Sequence, residues 1–136
     1  MSKTTTLKTS VRDPRAIKQA AKELGVTLLT DVSPRLYFAS QHPETSDMVL
    51  KLDGRYDVGL DKKTNGEYEL VFDSHGGDIS RVLGNNAEGA NRTVGKFLQI
   101  YAKHAAINAA TAKGYSVAGT SVAANGEIQL TLNVPN

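Results

Sequence analysis

The string "DSHGGD" at 73–78 holds the most suggestive side chains in the chain. Asp73, His75 and Asp78 would offer a divalent metal ion two carboxylates and an imidazole. Ser74, beside that imidazole, would be read as a nucleophile. Both chemistries ask for more than this. A catalytic zinc takes three protein ligands fixed by further partners, and a serine nucleophile needs a base and an oxyanion hole. The preferred reading is structural: Asp73 ends a strand, and Gly76 and Gly77 turn the chain. The other two histidines do not join the group by local spacing. His42 precedes Pro43 in a loop, and His104 lies beside Lys103, one residue off a helix's apolar stripe. With no Cys at all, a disulfide framework, a thiolate zinc site and a cysteine nucleophile are excluded.

A second candidate is "GNNAEGANRTVGK", residues 84–96. Its glycines precede a helix whose first turns carry Arg92 and Lys96, an arrangement suited to an anion. The segment lacks G-x-x-x-x-G-K-[ST] and does not follow a strand directly, so a plain loop-to-helix junction is preferred. The third candidate is not catalytic. Arg15, Lys18 and Lys22 share one face of a first helix, and Arg92, Lys96 and Lys103 belong to a second. Side by side, the two helices would form one cationic surface for an acidic protein partner or a nucleic acid. The net charge of +2 conceals this segregation: residues 1–30 carry six Lys/Arg against two acids, whereas 31–90 carry six against eleven.

These groups must be positioned by a single domain spanning 1–136. "TTTLKTSV" alternates as a strand. "RDPRAIKQAAKELG" is a helix with Asp13 to cap it, Pro14 in its first turn and Gly25 past its end. "VTLLTDV" and "MVLKL" read as further strands. "RYDVGLDKK" and "EYELVFD" flank Asn65-Gly66, a strong hairpin signal. Tyr56, Val58 and Leu60, with Tyr68, Leu70 and Phe72, form an oily side; Asp57, Asp61, Glu67 and Glu69 form a wet one. Residues 73–91 read as a long loop tethered by Ile79, Val82 and Leu83. A helix from Asn91 to about Lys113 carries the stripe Val94, Leu98, Tyr101, Ala105, Ala109 and Ala112, with close packing expected along its alanine-rich half. A second ribbon closes the chain around Asn125-Gly126, so "NGEYEL" at 65–70 is echoed by "NGEIQL" at 125–130. The expected fold is α+β: one antiparallel sheet of five to seven strands with two helices over one face, two Asn-Gly hairpins, loosely ferredoxin-like.

"RYDVGLDKKTNGEYELVFD", "KFLQIYAKHAAINAATAKGY" and "NGEIQLTL" together resemble the uncharacterised family of hypothetical plastid open reading frames. The shared pattern is a Tyr-Asp-(Val/Ile)-Gly strand with a Gly-x-Tyr-x-Leu-Val-x-Asp return, then a Tyr-Ala helix and a final Gly-x-Ile-x-Leu strand. The likeness runs from about Leu7 to Leu132. Where relatives often carry a Trp soon after the return strand, this chain has Ser74-His75 and no Trp. The resemblance implies a setting in cyanobacteria, plastids or cyanophages, but no reaction.

With no convergent catalytic set, the expected function is a non-catalytic interaction or regulatory module that uses no cofactor. Its expected partner is an acidic protein, and self-association is open. The alternatives are a metal- or anion-dependent enzyme using residues 73–91, and nucleic-acid binding. "MSKTTTLKTSVRDP" lacks an apolar run and no stretch approaches the ~20 apolar residues that span a bilayer. A cytoplasmic protein without membrane contact is therefore expected: host cytoplasm if phage-encoded, stroma if plastid.

Overall fold

In the computed structural model, which describes residues 4–8, 11–36, 44–73, 78–85, 90–122 and 128–133, helix α1 (Pro14–Leu24) is bracketed by Asp13 and Gly25. The Asp13 carboxylate accepts from the N–H of Arg15 at 2.9 Å and of Ala16 at 3.2 Å, satisfying donors that the first turn leaves open. Gly25 takes a left-handed conformation (φ 71). Val26 N–H then reaches back to the Ala21 carbonyl at 2.9 Å, a Schellman stop. The long helix α3 (Ala90–Ala112) ends the same way, with Tyr115 N–H on the Ala110 carbonyl at 3.0 Å. "KELGV" at 22–26 and "TAKGY" at 111–115 thus form the same helix stop.

The strands are β1 (Thr4–Lys8), β2 (Thr27–Val32), β3 (Ser46–Lys51), β4 (Val58–Lys62), β5 (Tyr68–Asp73), β6 (Ser116–Val122) and β7 (Ile128–Asn133), and a short helix α2 spans Ser80–Leu83. The main sheet has the order β1-β5-β4-β3-β2, and each pairing is antiparallel. Strands β2 to β5 therefore form a meander rather than the split βαβ of a ferredoxin-like domain. The turn joining β4 and β5 is closed by Lys63 N–H on the Glu67 carbonyl at 2.7 Å. Asn65 Oδ1 accepts from Glu67 N–H at 2.9 Å. The second Asn-Gly pair, 125–126, lies outside the described residues.

One expectation is corrected here. The closing ribbon does not join the main sheet: β6 and β7 pair with each other in a separate sheet, against α3. Alternating residues dictate which side of a strand turns inward but not which strand lies beside it.

One face of the main sheet carries the core. Met48, Leu50, Val58, Leu60, Tyr68, Leu70 and Phe72 meet Ala16, Ile17, Ala20 and Ala21 of α1, Leu83 of α2, and Val94, Phe97 and Tyr101 of α3. Ile79 and Leu83 are buried, so residues 78–83 are anchored. In α3 the stripe holds as far as Ala105, half-buried against the core, whereas Ala109 and Ala112 are exposed, against the expectation of close packing there.

The other face is drier than alternation alone implies. Val49 and Val71 point away from the helices by strand alternation, yet both are buried, as are Pro34 and Leu36. Residues 33–36 cross this face. A Cβ on Gly59 would stand 3.1 Å from Pro34 Cγ, so the crossing passes close over the bare glycine. Asp57, expected on the wet side, is 3% exposed. Its carboxylate takes a fork from Arg35, Nε at 3.0 Å and Nη2 at 2.8 Å, plus the Arg35 N–H at 2.9 Å and the Leu52 N–H at 3.3 Å. The guanidinium's own affinity for its proton rises beside that carboxylate. Burying such a charge is tolerable only because every side of it is answered.

Candidate interaction surface

Helices α1 and α3 lie against each other, and polar side chains fix the contact at several points. The Tyr101 hydroxyl accepts from the N–H of Arg12 at 2.8 Å and of Asp13 at 2.9 Å. Asn108 Nδ2 donates to Asp13 Oδ2 at 3.0 Å and to Gln19 Oε1 at 2.9 Å. Burial pushes the Asp13 carboxyl up, but the bonds from Asn108, Ala16 and Arg15 outweigh it and hold the group below its ordinary value. Near the end of α1, Glu23 Oε1 receives Lys103 Nζ at 2.6 Å and lies 2.9 Å from His104 Nε2. The Lys103 bond chiefly holds the Glu23 carboxyl below its usual range, against the effect of burial.

Glu23 is the only acid in α1, and it is turned toward α3. Arg15, Lys18 and Lys22, at spacings of three and four, are exposed on the side of α1 away from the core. Most other arginines and several lysines have acidic partners: Arg12 with Glu67, Arg35 with Asp57, Arg55 with Asp78, Lys63 with Glu69 and Lys103 with Glu23. Arg15, Lys18 and Lys22 make no ion pair among the described residues. Lys51, Lys62, Arg81 and Lys113 are also exposed but stand singly on other elements.

Of the other predicted cations, Lys96 is exposed on α3 and Arg92 lies in its first turn. Lys103 is expended on Glu23. Sequence reading missed that pairing because the partners are 80 positions apart. Of the candidate metal ligands, Asp73 is buried at the end of β5. Asp78 accepts from Arg55 Nε at 3.0 Å and Arg55 N–H at 3.1 Å, which lowers its carboxyl. His75, like His42, lies outside the described residues. No group of three His, Cys, Asp or Glu suited to a metal ion occurs among the described residues. In the candidate anion segment, Asn85 packs over Gly95 so closely that a Cβ there would overlap its amide.

The family pattern of a protein of unknown function (DUF1257) matches residues 20–131. The chain belongs to the DUF1257 family. The match covers most of the main sheet, only the end of α1, all of α3 and most of the closing ribbon, in keeping with the expected likeness to an uncharacterised conserved family. No curated protein and no solved structure matches this DUF1257 chain. No helix among its described residues is long and apolar enough to cross a membrane.

Proposed function

We propose that this DUF1257 chain is a non-catalytic interaction module that binds an acidic protein surface through the exposed cations of α1, with Lys96 of α3 extending the patch. Its setting, following the resemblance, is the cytoplasm of a photosynthetic bacterium, a plastid stroma or a phage-infected host. One observation carries the reading: α1 directs its single acid to Lys103 and leaves Arg15, Lys18 and Lys22 exposed together. The stripe spans about 10 Å at 1.5 Å per residue, enough to meet a short acidic segment. Tyr68, Phe72, Phe97 and Tyr101 are buried, so none of these rings is a platform for stacked bases; this favours a protein over a single-stranded nucleic acid.

The test is affinity capture from host cells with wild-type chain and with Arg15→Glu/Lys18→Glu/Lys22→Glu/Lys96→Glu, identified by mass spectrometry. Matching circular dichroism of the two proteins controls for folding. Loss of acidic partners from the variant supports the reading; undiminished capture rejects it. Captured nucleic acid whose binding falls steeply with salt would instead favour the nucleic-acid alternative.

A further inference from the structure

The main sheet ends at β2, which hydrogen-bonds to β3 and to no other described strand. Among the described residues its far row of N–H and C=O groups is therefore an open edge of the kind that accepts an added strand. Residues Val26 to Thr30 carry no charge, with Thr27 and Thr30 exposed and Leu28 and Leu29 half-buried. Asp31 has φ 55, which interrupts the extended backbone and limits a docked strand to about four residues.

Two further observations bear on what that strand would be. α1 contacts β2, whereas α3 contacts β1, so the flank of α1 away from α3 is the one nearer the open edge. Gln19 and Glu23 mark the α3 flank, and Lys18 lies on the opposite flank by helical spacing. On the sheet itself, exposed Lys51 is the register partner of Thr27 but, next to core-facing Leu50, lies on the face away from the helices. At the start of the edge, a cleft of about 150 Å³ opens between the end of α1 and the end of β3, lined by Leu24, Val26, Thr27, Leu52, Asp53 and Val82. A cavity of about that volume holds a benzene-sized group.

We infer that the partner contributes an extended acidic segment that adds to β2 as an edge strand. Its carboxylates meet Lys18 and Lys22 on the helix side of the sheet, and one side chain enters the cleft beside Thr27. This rests on the cationic-stripe reading and specifies its geometry: main-chain pairing supplies the contact length, and the lysines select the charge.

Amide hydrogen exchange of the isotope-labelled full chain tests it, with three blocked synthetic peptides as probes. One alternates Glu and Val, one alternates Lys and Val, and the third is the Glu-Val peptide with a central Pro. The Glu-Val peptide is expected to slow exchange of the β2 amides facing away from β3 by about tenfold at 90% occupancy, roughly the fraction left unbound. The Lys-Val peptide should fail on charge, and the Pro peptide should fail because it lacks a donor. Shift changes confined to Arg15–Lys22, without protection in β2, overturn strand addition and leave the stripe reading intact. No response in either element counts against both. Protection of β2 without peptide that grows with protein concentration overturns the inference in favour of a second copy on this edge.

Discussion

Replacing Tyr101 with Phe removes one oxygen and leaves the ring, whose centroid is 6.4 Å from that of Phe97. That oxygen accepts two successive main-chain bonds, from Arg12 at 2.8 Å and Asp13 at 2.9 Å, just before α1 begins. Tyr101 is 7% exposed, so water replaces the lost acceptor poorly. A buried donor without a partner costs about 1–3 kcal/mol, and a typical net bond contributes about 0.5–1.5. Both bonds are part-buried, so Tyr101→Phe is expected to destabilise the fold by about 1.5–3 kcal/mol. In urea unfolding, with a slope of about 1–3 kcal/mol per molar, the midpoint should fall by about 1 M. Exchange at the amides of residues 12 and 13 should accelerate in parallel. A loss below about 0.5 kcal/mol, the range of ordinary surface changes, with both amides still protected, would refute the clamp.

Two further outcomes follow from packing and charge. A Cβ at Gly59 would lie 2.5 Å from Ser46 Oγ, so Gly59→Ala should lower stability by about 1–3 kcal/mol. Ser46 Oγ is buried without a hydrogen-bond partner among the described residues, so Ser46→Ala alone should be nearly neutral and should recover part of the Gly59→Ala loss in the double variant; strict additivity in denaturation would contradict this. Glu23 is held below its ordinary 4.5, chiefly by Lys103. A depressed folded-state value gives stability that is complete above that pH and lost as pH falls through the lower folded value. Glu23→Gln should therefore flatten the decline of stability below pH 4.5, modestly because the carboxylate is 39% exposed. An unchanged acid slope would show that the pair contributes nothing.

What could be read without coordinates was local. Asp13, Pro14 and Gly25 bound α1 because each residue's own chemistry suits one place in a helix end, and the apolar spacing in α1 and the first half of α3 marked the residues that enter the core. Partners remote in sequence were illegible. Nothing near Asp57 announced that Arg35, 22 positions earlier, would cross the sheet and bury it. Nothing near Lys103 announced Glu23. The candidate surface was accordingly half visible: helical spacing grouped Arg15, Lys18 and Lys22, while the neutralisation of Lys103 depends on how α1 meets α3.

The separate closing ribbon has a consequence for how the molecule comes apart. Two strands alone are marginal in water, and β6 and β7 lean chiefly on α3, where Ala106, Ala109 and Ala112 are exposed and only Ala110 is buried. Held to the body through α3 rather than through the main sheet's hydrogen bonds, the ribbon should peel off well before the meander melts. Native-state labelling would then sort the amides into two tiers, a loose C-terminal flap and a tight body. Deleting the flap would leave the body's melting temperature little changed.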